Sequence, residues 1–174
     1  MSTPPRKKLM LFWLIALIFI VFPAIVLLVG QWGFLRGQPP VPLGLTAGRL
    51  APPSPTPNSV SSQANLYPGH PQAEYAAMEP IALPTSETGA AALARLAQLL
   101  QNTPGVTVVQ QQPQYLRAEA ETRWLKFVDD VELLLDEPAG VIHLRSSSRL
   151  GRKDFGVNRA RMALLRQQFL AGRP

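Results

Sequence analysis

The feature that most constrains this chain is an uncharged apolar run near its N-terminus, from Leu9 to Gly30. A helix of about 20 apolar residues is what a hydrocarbon core of roughly 30 Å requires, so the run predicts a transmembrane helix. The alternative is a cleaved signal peptide, whose apolar region is normally about 7 to 15 residues long and ends at a small-x-small site. Bulky side chains between Gln31 and Arg36 occupy the place of such a site. The sequence therefore favours an uncleaved anchor.

The charges that flank this run predict its orientation. Three basic residues, Arg6 to Lys8, precede the run, and only Arg36 closely follows it. The positive-inside rule then keeps the N-terminus in the cytoplasm. We expect a cytoplasmic basic tail over residues 1–8, a transmembrane helix over residues 9–30 and an exported remainder. The lipid bilayer is the expected partner of this helix.

The composition argues against two classes of function. The net charge of +6 suggests a nucleic-acid-binding protein until it is divided by region. Five of the 17 basic residues lie before Leu50, whereas all 11 acidic residues lie after it, so the later part is nearly balanced. The basicity then reflects membrane topology, and we expect no nucleic-acid partner. The chain has no cysteine, which excludes disulfides and thiolate chemistry.

A proline-rich stretch separates the apolar run from the rest of the chain. Proline, glycine, serine and threonine dominate from Gly37 to Tyr67. Because prolines block helices and sheet ladders, residues 31–67 are predicted to form an extended spacer that holds a domain off the bilayer. A proline-rich docking peptide is the alternative. The folded domain is expected over residues 68–174.

Residues beyond the spacer alternate between helical and strand-like patterns. Apolar residues at helical spacing predict one helix that opens after Thr85 or Ser86 and ends near Asn102. Four strand-like runs and a second helix follow: Val106–Gln111, Gln114–Trp124, Phe127–Asp136, Val141–Ser148 and Val157–Ala171. The short connections favour antiparallel pairing. We predict an α+β two-layer sandwich, in which a four-stranded antiparallel sheet carries two helices on one face, behind one N-terminal transmembrane helix.

Polar residues concentrate where the last strand meets the last helix. The candidate binding or structural network contains Asp129, Asp130, Arg145, Ser146, Ser148, Arg149, Asp154, Asn158, Arg159 and Arg161. One interpretation is a structural junction of hydrogen bonds and caps. A second is an anion pocket, in which arginines and a helix N-terminus bind a carboxylate or phosphate. An enzyme centre built from an aspartate, the arginines and the asparagine is a third interpretation.

Known catalytic and metal-binding patterns do not occur among these residues. Asp129 and Asp130 are adjacent on a predicted strand, so their side chains point to opposite faces and cannot form a carboxylate dyad. His70 and His143 share no metal-ligand spacing. The serines lack the turn of a serine hydrolase. We therefore predict no catalytic residue, no metal and no cofactor.

Four segments together resemble a known family, the bacterial and plastid proteins called domain of unknown function 1499. They are Pro57–Gln63, Phe127–Glu132, Arg145–Arg149 and Gly151–Arg161. The resemblance extends from about Leu50 onward and implies a shared fold and site, but no established reaction. It also implies a pair of cysteines, one at the position of Ser59 and one near Pro53, which this chain lacks. Ser147 stands where an alanine is common.

These observations lead to an expected location and an expected role. We expect a single-pass protein of the bacterial inner membrane with a periplasmic C-terminal domain. The domain is expected to have a non-enzymatic binding or envelope-associated structural role, with an envelope protein or a small anionic ligand as candidate partners. The alternative is an enzyme or anion-binding protein whose site is the polar junction.

Overall fold

The apolar N-terminal run forms one long helix. The computed structural model describes residues 6–172, so most of the predicted basic tail lies outside the described residues. Helix α1 spans Arg6–Gln31. The most apolar 18-residue window of its segment Lys8–Gln31 has a mean hydropathy of 3.1 and is not buried by the rest of the chain. By length and composition, this helix is suited to cross a membrane.

The rest of the chain is an α+β domain that begins soon after α1. Its strands are β1 (Leu45–Thr46), β2 (Arg49–Leu50), β3 (Ser59–Ser61), β4 (Ile81–Ala82), β5 (Val106–Gln111), β6 (Tyr115–Glu121), β7 (Val128–Asp136) and β8 (Val141–Ser148). Its helices are α2 (Ala73–Ala76), α3 (Gly89–Gln101) and α4 (Val157–Ala171), with a 3₁₀ turn at Ala64–Leu66. The side chain of Thr88 caps α3 by accepting a hydrogen bond from Ala91 N, so this helix opens later than predicted.

The main sheet has six strands, and the prediction of four is wrong. The four predicted strands, β5 to β8, lie side by side in sequence order and pair antiparallel. Two further strands, β3 and β4, both pair antiparallel with the outer edge of β8. Each is only two or three residues long, and all three residues of β3 are buried. Strands this short carry no measurable alternation, so the sequence pattern could not reveal them.

Alternate residues of the sheet build one apolar face beneath α3 and α4. Leu116, Val131, Leu133 and Leu144 are fully buried in this core. The two helices add two apolar stripes to the same core: Ala92, Leu93, Leu96, Ala97 and Leu100 from α3, and Met162, Leu165 and Phe169 from α4. Both long helices of the domain thus cover one face of the sheet, as alternation along the strands and helical periodicity together require.

The second face of the sheet is polar and is covered by the proline-rich segment. Leu50 is fully buried and packs with Tyr115 and Leu134 of the sheet. Gly44 N of this segment also donates a hydrogen bond to Glu132 of β7, and within the segment Leu50 N donates to the side chain of Gln63. The prediction of an extended spacer is therefore wrong for much of this stretch. Strand pairing in this proline-rich segment is limited to the short strands β1, β2 and β3. The prolines between them do not stop the segment from packing.

Candidate functional site

Asp129 and Asp130 lie on opposite faces of β7. On the helix-covered face, Asp129 Oδ2 accepts a hydrogen bond from Arg161 Nη2 of α4 at 2.7 Å, which makes an ion pair. On the polar face, Asp130 Oδ2 accepts a hydrogen bond from Arg149 Nε at 2.8 Å and forms a second ion pair. The sequence suggested that both arginines of the junction and Asn158 could meet at one point. Instead the structure distributes the predicted residues over both faces of the sheet.

The first cluster on the polar face surrounds Asp130. This carboxylate has no solvent exposure, and Arg149 binds both of its oxygens through Nε and Nη2 at 2.8 Å. Arg117 of β6 donates to Asp130 at 3.3 Å, and Arg149 also donates to Glu119. The hydrogen bonds with Asp130 and Glu119 outweigh burial and raise the pKa of Arg149 above its ordinary value. The pair is bidentate, which is the strong arrangement for a guanidinium and a carboxylate.

Residues near the end of α1 extend this cluster. Arg36 donates to Glu119 at 3.0 Å and also binds Glu121. Lys126 binds the other oxygen of Glu121 at 2.8 Å. Five cations and four carboxylates thus lie along the polar face: Arg36, Arg117, Lys126, Arg145 and Arg149 with Glu119, Glu121, Asp130 and Glu132.

The second cluster on the polar face surrounds Glu132. Arg145 lies directly opposite it on β8 and donates to Glu132 Oε2 at 2.6 Å. The other oxygen accepts from the hydroxyl of Tyr115 at 2.7 Å and from Gly44 N at 2.8 Å. Burial, followed by the neighbouring Glu132 carboxylate, raises the pKa of Tyr115 above its ordinary value. Arg145 also donates to the carbonyl of Pro52 at 3.3 Å, so the pair ties the proline-rich segment to the sheet.

On the helix-covered face, Asn158 is the centre of the polar contacts. It is fully buried, and its Nδ2 donates to Asn58 O at 3.0 Å and to Ser148 Oγ at 2.9 Å. Its Oδ1 accepts from Ser146 and from Arg161 Nη1 at 2.9 Å. Both atoms of the amide are satisfied, as a buried amide requires.

Asp154 organises the start of α4. Its carboxylate accepts from the hydroxyl of Tyr75 at 2.8 Å and from the backbone nitrogens of Gly156 and Asn158 at 3.1 Å. Burial alone would raise the pKa of Asp154, but these hydrogen bonds outweigh it and lower the pKa. Burial and the bond to Asp154 raise the pKa of Tyr75. Arg159 supports the same region by donating to the carbonyls of Ala77 and Tyr75.

Replacing Asp154 with asparagine is expected to destabilise the protein at neutral pH and to matter less in acid. A carboxylate whose pKa is lowered on folding contributes stability above its unfolded pKa, about 3.9, and this contribution is lost as the pH falls through the folded value. The stability difference between Asp154→Asn and the wild type should therefore narrow below about pH 4. Urea denaturation in detergent micelles at several pH values measures it, with exposed Glu79→Gln as the matched control. A stability difference between Asp154→Asn and the wild type that does not change with pH would contradict a lowered pKa for Asp154.

A cavity of about 440 Å³ lies between the proline-rich segment and the end of β8. Its polar lining includes Asn58, His70, Arg145, Ser147, Ser148 and Arg149, and Pro40, Pro42, Pro52, Pro53 and Pro55 contribute to its walls. Asn58 Nδ2 donates to Gly151 O at 2.7 Å, but its buried Oδ1 has no hydrogen-bond partner. Such an atom is rare in a folded protein and costs about 1 to 3 kcal/mol.

The comparison with known proteins concerns most of this domain. Residues 49–169 match a family described as a protein of unknown function, DUF1499. The chain belongs to the DUF1499 family. No curated protein and no solved structure matches the chain.

The family match begins within the proline-rich segment, where the resemblance implies two cysteines. Ser59, at one of these positions, accepts a hydrogen bond from Ser54 N at 2.7 Å. Ser54 follows Pro53, near which the other cysteine is implied. A hydrogen bond thus joins the same two parts of the segment in this member of the family.

Several residues of the polar clusters were not predicted from the sequence. They are Asn58, Tyr115, Arg117, Glu119 and Glu132. The alternation of polar and apolar residues along β6 and β7 was a usable signal, but a polar face of a sheet is ordinarily a solvated face. Among residues 6–172, no group of three or more His, Cys, Asp or Glu side chains is arranged to hold a metal ion.

Proposed function

We propose that this chain is a single-pass membrane protein whose exported domain has a non-enzymatic binding role. Helix α1 is suited to span the bilayer, and the basic residues before it favour a cytoplasmic N-terminus. The domain then lies in the periplasm of a bacterial cell. Its binding site is the cavity between the proline-rich segment and β8.

The observation that supports binding over catalysis is the engagement of the carboxylates beside the cavity. Asp130 is held by Arg149 and Arg117, and Glu132 is held by Arg145 and Tyr115. A general acid or base must be free to exchange a proton with a substrate. The described lining of the cavity contains no carboxylate and offers guanidinium, hydroxyl, amide and imidazole groups instead. These groups are suited to hold a ligand.

The charges of the polar face favour a small anion as this ligand. Five cations oppose four carboxylates there, so one positive charge is in excess. Arg145 and Arg149 both reach the cavity wall, and Ser147 and Ser148 stand beside them. A phosphate or carboxylate group accepts hydrogen bonds from such donors. The ion pairs of both arginines hold the guanidinium groups in place before the ligand arrives, which lowers the cost of binding.

Nuclear magnetic resonance of the arginine side chains tests this proposal directly. We expect titration of the full chain in lipid nanodiscs with inorganic phosphate or acetate to shift the Nε–H signals of Arg145 and Arg149 in a saturable way. Ser147→Ala removes a hydroxyl from the cavity wall and should weaken the binding, whereas Ser86→Ala, far from the cavity in sequence, should not. Unchanged arginine signals at saturating anion, with the protein folded, would contradict the proposal.

A further inference from the structure

The C-terminal end of α1 packs against the turn between β6 and β7. Gly30 approaches the backbone of Leu125 so closely that an added Cβ would lie 2.9 Å from its carbonyl oxygen. The side chain of Gln31 donates to the carbonyls of Trp124 and Arg123, at 2.7 and 3.3 Å. The turn therefore lies at the level where the apolar helix ends.

Large aromatic side chains are exposed at this same level. Trp32 and Phe34 are each 73% exposed, Trp124 is 62% exposed and Phe127 is 37% exposed. A soluble surface rarely gathers so many exposed aromatic rings in one place. Trp and other aromatic side chains are enriched where a transmembrane helix leaves the hydrocarbon, because their rings suit the headgroup region.

Two cations belong to the same turn as Trp124. The guanidinium of Arg123 lies 4.9 Å from the ring centre of Trp124. Lys126 follows in the same turn and binds Glu121. Basic residues near a membrane surface are attracted to anionic lipid headgroups. Aromatic rings and cations together match the chemistry of a lipid interface.

The connection between α1 and the sheet is short and anchored on both sides. Five residues after Gln31, Arg36 binds Glu119 and Glu121 of β6. The next residue, Gly37, leaves no room for a Cβ, which would lie 2.8 Å from side-chain atoms of Arg149 and Leu150. Through this short connection, α1 holds the sheet so that the β6–β7 turn lies close to the level at which α1 ends.

We propose that an interfacial patch, formed by Trp32, Phe34, Arg123, Trp124, Lys126 and Phe127, inserts into the headgroup region of the bilayer. The patch keeps the domain against the membrane and gives it one orientation there. This proposal rests on the membrane anchoring by α1 proposed above. The occupant of the patch is lipid, and anionic lipid strengthens the contact through Arg123 and Lys126.

Tryptophan quenching by brominated lipids tests the patch, because the chain has three tryptophans in three different places. Pairwise replacement by phenylalanine gives full-length variants that retain only Trp13, Trp32 or Trp124, each reconstituted in vesicles of mixed neutral and anionic lipid. We expect Trp124 to lose as much emission as Trp32 when the bromine lies near the headgroup. Bromine placed deeper in the lipid acyl chains should quench Trp124 less than Trp13, which lies within α1.

A matched control places one tryptophan at the opposite end of the sheet. Ala139→Trp, in the exposed β7–β8 turn of a chain with the other three replaced, lies roughly 30 Å from the patch along β7 and should stay unquenched. Quenching of Trp13 with none of Trp124 would overturn the patch but keep the anchor, and would favour a protein partner at these aromatics. Absence of quenching for both Trp13 and Trp124 would overturn the anchor and the patch together.

Discussion

Replacing Arg149 with alanine is expected to destabilise the domain by about 3 to 5 kcal/mol, because it leaves a buried charge without its main partner. Asp130 has no solvent exposure and would keep only Arg117, at 3.3 Å. A domain of this size is ordinarily stable by about 5 to 15 kcal/mol in total. Urea denaturation of the full chain in detergent micelles, followed by circular dichroism, measures the change.

A double-mutant cycle separates this effect from a simple loss of packing. Asp130→Ala added to Arg149→Ala removes the unpaired charge, so the combined cost should be far smaller than the sum of the two single costs. Arg152→Ala, an exposed arginine three residues later in the same loop, is the matched control and should change stability by less than about 0.5 kcal/mol. An Arg149→Ala protein as stable as this control would contradict the network.

Replacing Glu132 with alanine is expected to be comparably severe, at about 3 to 5 kcal/mol. The carboxylate has three partners, since it accepts from Arg145, Tyr115 and Gly44 N. Its loss leaves the charge of Arg145, whose side chain is only 3% exposed, with the Pro52 carbonyl alone. Hydrogen exchange of the folded variant should also show a looser proline-rich segment, as faster exchange of the Gly44 backbone amide.

Two further variants distinguish the charge from the volume of this pair. Glu132→Leu combined with Arg145→Met replaces both charges with apolar groups of similar size and should recover part of the lost stability. The more exposed pair of Glu87 and Arg95, whose side chains are 20% and 24% exposed, is the control, and Glu87→Ala should cost no more than about 1 kcal/mol. Equal costs for Glu132→Ala and Glu87→Ala would show that Glu132 is not held in a buried pair.

Local patterns of the sequence predicted the elements that depend on local chemistry. The length of the uncharged apolar run predicted α1, and the strand-like residue patterns predicted β5 and β8 over the ranges observed. The last helix, predicted over Val157–Ala171 as observed, buries Asn158, Met162, Leu165 and Phe169 on one face. These elements were predictable because side-chain spacing along one segment already determines which of its faces can be buried. The short edge strands β3 and β4 were missed because their pairing depends on β8 and not on a pattern of their own.

The polar junction was predictable in composition but not in connectivity. A concentration of arginines, serines and aspartates before α4 indicated a polar cluster of some kind. Which carboxylate binds which arginine depends on strand register, and register brings Glu132 opposite Arg145 and leaves Asp129 to Arg161 on the other face. A shift of one residue would exchange the faces of every side chain in the strand. The sequence alone therefore could not divide the junction into its separate clusters.

The sequence by itself determined the apolar helix, the family, the helical and strand periodicities and the residue types available at the junction. Tertiary structure alone decided that the proline-rich segment covers the polar face of the sheet and encloses a cavity there. The contacts responsible join residues about 90 positions apart, such as Gly44 with Glu132 and Pro52 with Arg145. The strands of this segment are only two or three residues long, so they have no periodicity that predicts where the segment packs. Its position depends on the buried charges that it shields and on the backbone hydrogen bonds that they require.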